Sequence, residues 1–469
     1  MSIAEKAFKG GIWIGLSKVS IIVLQILQFS ILARLLSASE VGLISLLMTV
    51  FFLGMGTINA GISNGVIALG SISQKQSSSL FWLNLVAGFL IWGLIYSTAP
   101  LICLVFKSGD LLIPLKIFTV IFLLIPFGQQ FNYLLQKELN FRSVSMIDIG
   151  AALLEVVLCV FLAYKGLKVY SFVYGKIAYF GFSSMIFFLI GLKRWRPIFY
   201  FSVADIKPFV SFGLFQLGSN YMYMVYSQMP KFIIAPFLGL DAMGAYELAS
   251  KITMQPLSKI APVLKQVAFP VIASVQDDIK KVHKAYKSYL LLLEAAVAPV
   301  AMIIGVFAYQ IVTLVFGDEW MHIVPLVKIL SVAVFVRSLC RVSASVALGL
   351  KRADLDFYRV ACVAVIAFVA AYPGAKIWGI SGVVSAVLLT DFITLMIAYF
   401  ITIKSLLGIT LTRTFKDDYS LILLLVVSIC LSFYFSGIIG SIIIALNYFL
   451  TYYWYRSKQL KNLMHFFLK

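Results

Sequence analysis

An all-α integral membrane protein of about 14 spans is predicted from three observations. Apolar segments of membrane length fill the chain, most basic residues belong to alternate loops, and a weak internal repeat recurs at an offset of 202 residues. Of the 469 residues, 62% are hydrophobic and only 12% charged, with a mean hydropathy of +1.00, which leaves no room for a sizeable soluble domain. Expected spans cover residues 12–36, 41–69, 79–106, 114–135, 144–163, 170–192, 209–238, 243–272, 288–316, 323–348, 358–376, 380–404, 418–436 and 438–455.

The first apolar run, preceded by Lys6 and Lys9, reaches Leu36 without a small-residue cleavage site, so it reads as a retained first span rather than a signal peptide. A net charge of +19 does not point to nucleic acid, because the basic residues follow the positive-inside pattern. With the N-terminus in the cytoplasm, Lys75, Lys137, Arg142, Lys193, Arg196, Lys280, Lys281, Arg352 and Lys404 all fall inside. The opposite loops hold few basic residues beyond Lys107, Lys165, Lys168 and Lys376, and several are acidic, with Glu40, Asp110, Asp241, Asp318 and Glu319. Both termini are then cytoplasmic.

The repeat lays Ala33-Arg-Leu-Leu-Ser-Ala-Ser-Glu-Val-Gly42 on Ala235-Pro-Phe-Leu-Gly-Leu-Asp-Ala-Met-Gly244, and the same offset superimposes spans one to six on seven to twelve. An even number of spans per repeat makes the halves parallel, related by an axis along the membrane normal. The expected domains are an N-lobe at 1–200, a C-lobe at 201–406, and a final part at 407–469 with spans 13 and 14 and a cytoplasmic amphipathic tail. The two six-helix lobes are expected to flank a central cleft.

Polarity within the spans points to the same cleft. Met243 to Ser274 carries Glu247, Lys251, Gln255, Ser258, Lys259, Lys265 and Gln266 within an arc of about 120°. A charge at the bilayer centre costs about 2.5–3.5 kcal/mol, so three lysines facing lipid would cost on the order of 8–10 kcal/mol. Either they line a hydrated cavity, or single lysines snorkel to the headgroups or pair with Glu247. Span one adds Lys18, Gln25, Gln28 and Arg34, span two Asn59, Ser63 and Asn64, and span seven Gln216, Asn220 and Lys231.

Acids also lie inside spans: Asp148 and Glu155 on the fifth, Glu247 on the eighth, Glu294 on the ninth and Asp391 on the twelfth. Two readings stand for them: carboxylates that couple transport to a cation, or structural partners of Lys176, Lys328, Arg337 or Arg341. Asp277 to Tyr289 and the tail Arg456 to Lys469 read as amphipathic interfacial helices on anionic lipid. Cys103, Cys159, Cys340, Cys362 and Cys430 lie in apolar segments without metal-ligand spacing, and His283, His322 and His465 are scattered. No phosphate-binding loop motif occurs, so no cofactor, metal or ATP hydrolysis is expected.

Several ordered motifs carry a resemblance: Leu32-Ala-Arg-Leu-Leu-Ser-Ala-Ser-Glu-Val-Gly-Leu43, Phe81-Trp-Leu-Asn-Leu85, Pro126-Phe-Gly-Gln-Gln-Phe131, Gln136-Lys-Glu-Leu-Asn-Phe141, Phe269-Pro270 with Gln276-Asp-Asp278, and Phe316-Gly-Asp-Glu-Trp320. From about residue 5 to 410 the chain resembles the Wzx-type polysaccharide or O-antigen flippases, the polysaccharide transporter branch of the multidrug, oligosaccharidyl-lipid and polysaccharide (MOP) exporters, and within it the colanic acid exporter group. The resemblance implies a MATE-like fold in a bacterial inner membrane. It further implies flipping of undecaprenyl-pyrophosphate-linked oligosaccharide repeat units to the periplasmic leaflet by alternating access, with a cation gradient as the coupling. Membrane lipids and other polysaccharide assembly proteins are the further partners it implies. One departure is Pro230 before Lys231, where relatives often carry Asp, so no coupling role transfers to that position.

Cationic donors suit a pyrophosphate headgroup, and Lys18, Arg34, Lys231, Lys251 and Lys259 are the expected substrate contacts, with Gln25, Asn59, Asn220 and Gln255 beside them. Four rivals are a peptidoglycan-precursor flippase, a drug or cation antiporter of the same superfamily, whose cationic substrates such a site would repel, a membrane-embedded polymerase, and a passive scramblase or scaffold within a polysaccharide assembly complex. The polymerase would need a sizeable external loop, and every outer loop here is short.

Overall fold

The computed structural model describes residues 3–58, 73–138, 140–193, 195–350, 352–408, 420–435 and 437–467, with side chains at a subset of these. It is all-α, with no strand among the described residues, and the chain divides into two compact units, Met1–Gly244 and Ala245–Lys469.

The first unit holds α1 (Ile3–Leu35), α2 (Ala38–Ile58), α3 (Gln74–Val105), α4 (Leu112–Phe118), α5 (Ile121–Lys137), α6 (Phe141–Tyr164), α7 (Val169–Leu192) and the start of α8 (Val203–Ser274). Local chemistry sets the boundaries. Ser73 and Gln76 form a reciprocal capping box at the start of α3, and Asn140 caps α6 through the Ser143 N–H. The core gathers around α2, whose residues 41–51 are all buried. There Phe51 packs on Phe118 and stacks on Phe122, while Phe118 stacks on Phe172. Close approach of backbones relies on small residues: a methyl at Gly88 would strike Pro126 and the Phe122 carbonyl, and one at Gly128 would strike Ser184.

Helix α8 changes direction at Gly239, whose φ of +85° is left-handed. Just beyond it the repeat becomes visible as a contact. Ser39 Oγ donates to Asp241 Oδ1 at 2.7 Å, and these two residues are 202 positions apart, the offset of the repeat. Gly42 lies so close to the Leu240 carbonyl that a methyl would collide with it, and Gly244 bears the same relation to the Ala38 carbonyl. The offset relates Ser39 to Asp241 directly and exchanges Gly42 with Gly244 and Ala38 with Leu240, so the two glycine contacts are reciprocal and the helices cross as on a two-fold axis.

The second unit holds the rest of α8, then α9 (Ile279–Val306), α10 (Ala308–Val315), α11 (Val324–Gly349), α12 (Ala353–Ala398), a π-helical turn at Tyr399–Lys404, α13 (Ser420–Tyr434) and α14 (Ile438–Phe467). Its core runs along α9 and α11, with Tyr286, Leu293, Val297, Phe335 and Leu339 buried together, and α13 and α14 add Leu425, Ile429 and Tyr448. Helix α12 breaks at Gly379, with φ +58°. Lys328 on α11 donates to the Ser432 carbonyl on α13 at 2.7 Å and lies 4.2 Å from the Phe433 ring centroid, which fixes α13 to the unit.

Eleven helices among the described residues are long and apolar enough to cross a membrane, against about 14 expected from sequence. Two of the eleven, Met224–Pro256 and Asp354–Leu407, each continue past a glycine break, and Ile422–Tyr434 is shorter than a span. The segment read as an interfacial helix from Asp277 to Tyr289 is corrected: it forms the first turns of α9 and its apolar side is core, with Val282, Tyr286 and Tyr289 buried and only Ile279 exposed. An apolar stripe beside lysines is the same pattern whether it meets lipid or protein.

Asp278 caps α9, accepting from the Lys280 and Lys281 N–H groups at 3.0 and 3.2 Å. The Lys281 N–H bond, aided by that of Lys280 and the Lys281 charge, holds its carboxyl below the usual carboxylate range. A depressed folded-state pKa gives a contribution that is fully present above the unfolded value, about 3.9, and lost as pH falls through the folded one. Amide protection in the first turn of α9, taken relative to the intrinsic exchange rate at each pH, is therefore expected to fall only under acid conditions, and in Asp278→Ala to be low at neutral pH as well.

Candidate functional site

In the first unit, charged side chains meet where α6 packs between α1 and α7. Arg142 lies 5.4 Å from the Trp13 ring centroid and Ser145 Oγ donates to the Trp13 carbonyl at 3.1 Å, which sets the register of α6 on α1. Asp148 and Glu155, seven residues apart, share one face of α6. Asp148 is partly buried within Coulombic reach of Lys18, an exposed residue of α1. It makes no ion pair within 4 Å among the described residues. Glu155, 2% exposed, lies 2.7 Å from Lys176 Nζ on α7, and Lys176 in turn rests 5.6 Å from the Phe172 and Tyr179 ring centroids. Gln25 is partly buried, and Arg34 stands exposed in the last turn of α1.

Lys231, also in the first unit, is 8% exposed on α8 directly after the buried Pro230. Such burial of an ammonium inside an apolar bundle is costly unless anionic or polar groups surround it. Asn220 lies on the same helix, but its side chain is outside the described set, as is Asn59 altogether.

In the second unit the α8 face carries Glu247 and Lys251, an i,i+4 pair at 3.4 Å, with Gln255 partly buried one turn on. Glu247 is 3% exposed, and the side chain of Lys251 16%. Tyr246, beside Glu247, is buried near Arg337 and Asp391. Arg337 on α11 grips Asp391 on α12 with a fork: Nε donates at 3.0 Å to one carboxylate oxygen and Nη2 at 3.1 Å to the other. The side chain of Lys259 lies outside the described set.

Glu294 on α9 is fully buried and bonds Arg456 Nη2 on α14 at 2.8 Å, with the side chain of Arg456 2% exposed. Sequence reasoning placed Arg456 in a lipid-surface tail; the structure corrects this and makes it an internal ion-pair partner. A separation of 162 residues hides such a pair from any local pattern.

Thus Glu155, Glu247, Glu294 and Asp391 each sit in an ion pair, and Asp148 stands apart from them. A carboxylate held by a guanidinium fork keeps its charge through the physiological range and admits a cation only if the fork lets go. The lysines fall into two groups, Lys18 and Lys231 in the first unit and Lys251 in the second.

A profile of the family described as polysaccharide biosynthesis protein matches residues 31–325. The chain is 28% identical over 357 residues to the teichuronic acid biosynthesis protein TuaB of Bacillus subtilis (strain 168), covering 76% of this chain and 74% of that protein. It is 28% identical over 408 residues to the lipopolysaccharide biosynthesis protein WzxC of Escherichia coli (strain K12), covering 87% of this chain and 83% of that one. Among solved structures, the lipid II flippase MurJ in an inward closed conformation shares the fold with a TM-score of 0.71 at 15% identity, over 95% of this chain and 99% of MurJ. With the profile matching well over half its length, this multi-pass membrane chain belongs to the polysaccharide biosynthesis protein family.

Proposed function

We propose that this transporter flips undecaprenyl-pyrophosphate-linked oligosaccharide repeat units from the cytoplasmic to the periplasmic leaflet of a bacterial inner membrane. It works by alternating access driven by a cation gradient, and both termini are cytoplasmic. The observation that carries the reading is that the family match runs through the part of α8 where Lys231 and Lys251 are held inside membrane helices. Each such lysine costs about 2.5–3.5 kcal/mol on insertion scales. A pyrophosphate headgroup gives that cost a purpose, since lysine is a compact point charge suited to phosphate.

Lys18, Arg34, Lys231, Lys251 and Lys259 are the proposed headgroup contacts, with Gln25, Asn59, Asn220 and Gln255 for the sugars. Asp148 is the first choice for cation coupling, ahead of Glu155, Glu247, Glu294 and Asp391, because those four are already paired. The relatives' names place them in teichuronic acid and lipopolysaccharide biosynthesis, which favours a glycan repeat unit over a peptidoglycan precursor.

The test is the sidedness of a labelled polyprenyl-pyrophosphate oligosaccharide in proteoliposomes. Native protein is expected to speed crossing over protein-free vesicles. Lys231→Ala and Lys251→Ala are each expected to slow it roughly tenfold, the scale of one lost charge-assisted hydrogen bond. Equal rates for native protein and both variants would remove these lysines from the mechanism.

A further inference from the structure

A cavity of about 380 Å³ opens in the first unit where α3 begins and α5 and α7 end. It uses none of the residues assigned above. Its size falls within the roughly 300–1,000 Å³ of small-ligand pockets. The linker after α7 is fixed on α3: the Ile198 N–H donates to Ser78 Oγ at 3.1 Å, the Ser202 N–H to Ser79 Oγ at 3.2 Å, and Trp82 Nε1 to the Ile198 carbonyl at 2.9 Å. The cavity wall is thereby held by hydrogen bonds on helix ends rather than left to a loose loop.

The cavity lining includes apolar and aromatic side chains, among them Phe131, Leu134 and Trp195. Phe131 is seated against Gly191, where a methyl would strike its ring, and lies 5.4 Å from Trp195 between ring centroids. The same lining includes the polar and charged Gln74, Glu138 and Arg196. The Trp195 indole N–H is buried and has no acceptor among the described residues. Buried donors are nearly always paired, so an orphaned one beside a cavity points to an acceptor that enters it.

The ligand must offer an apolar face and an edge that both donates and accepts. A lipid tail has no use for an amide, a carboxylate and a guanidinium. A phosphate group would meet the Glu138 carboxylate, and a cation would meet Arg196. A sugar ring fits: its C–H face lies on indole or phenyl, and its hydroxyls donate to Glu138 and Gln74 and accept from Arg196, Gln74 and Trp195.

We propose that this cavity is a carbohydrate subsite that takes one or two neutral sugar residues of the lipid-linked glycan at the cytoplasmic end of the first unit, before translocation. The proposal rests on the flippase reading for its orientation and its substrate. Lys75, Lys137, Lys193 and Arg196 mark that end as the cytoplasmic one under the positive-inside rule.

The experiment is saturation-transfer NMR on the full chain in lipid nanodiscs, which carry no sugar detergent, with cellotriose, chitotriose and trigalacturonate as probes. Transfer to ring C–H protons of cellotriose or chitotriose is expected. Trp195→Phe, which keeps the ring and removes the donor, is expected to weaken binding about three- to tenfold. Leu134→Trp, which fills the cavity, is expected to abolish it. No transfer to cellotriose or chitotriose overturns the proposal, transfer to trigalacturonate alone included, as does undiminished binding by a Leu134→Trp protein with native thermal midpoint. If Leu134→Trp fails to fold, the exposed-site variant Gln74→Ala decides, and unchanged affinity there overturns the site. Crossing of lipid-linked oligosaccharide separates this from the flippase reading. Equal crossing by native and Leu134→Trp protein refutes the subsite alone, while trimer binding without any crossing refutes the flippase and supports a glycan site.

Discussion

Arg456→Met is expected to destabilise the second unit by about 3–5 kcal/mol, the usual result of removing one partner from a buried ion pair. The Glu294 side chain is 0% exposed and loses the guanidinium that meets it at 2.8 Å. Tyr448 and Tyr452 line the same site and are themselves buried, so water cannot readily replace the lost charge. The double variant Glu294→Gln with Arg456→Met removes both charges and is expected to recover most of the loss, because the penalty lies in the stranded carboxylate. Thermal unfolding in nanodiscs reads both. A single variant no less stable than the double one would show that the pair does not tie α14 to α9.

Asp148→Asn is expected to cut gradient-driven crossing roughly tenfold while leaving the thermal midpoint near native. That is the scale of a coupling free energy of about 1–3 kcal/mol. The contrast is with Glu155→Gln on the same face of α6, which strands Lys176 2.7 Å away and is expected to lower the midpoint. The difference comes from geometry: Asp148 faces the exposed Lys18 without a direct pair, so its charge can be exchanged without breaking an internal bond. If crossing rates rise with an imposed proton or sodium gradient in Asp148→Asn as in native protein, the coupling carboxylate is elsewhere.

The helical spans were legible because membrane-length apolar segments admit hardly any other structure in lipid. The 202-residue register expected from sequence shows at one crossing in the fold. Aligning Ala33 with Ala235 also pairs Ser39 with Asp241 and Gly42 with Gly244, and the fold brings both pairs together. Single polar residues in spans were legible as expensive, hence as partnered, and Arg337 with Asp391 and Lys176 with Glu155 were among the partners open to sequence reasoning. What could not be read was which long-range partner a charge finds. Glu294 and Arg456 meet only because α14 packs along α9. The stripe at Val282, Tyr286 and Tyr289 fits a lipid surface as well as a protein core, since periodicity records an apolar neighbour and not its identity. The cavity at Trp195 depends on a linker docked by serine hydroxyls, a feature with no periodic signature.

The reciprocal crossing of α2 with α8 offers the most direct test of the flippase account. The proposed alternating-access cycle parts the helix starts that bear Ser39 and Asp241, whose side chains touch at 2.7 Å. In a cysteine-free background, Ser39→Cys with Asp241→Cys is to be bridged by a short bis-thiol reagent, and the sidedness of labelled polyprenyl-pyrophosphate oligosaccharide followed in proteoliposomes. The account predicts rapid crossing before bridging, arrest once bridged, and recovery on reduction. Crossing at the same rate with the bridge verified in place would contradict it, because substrate would then pass without the helices separating.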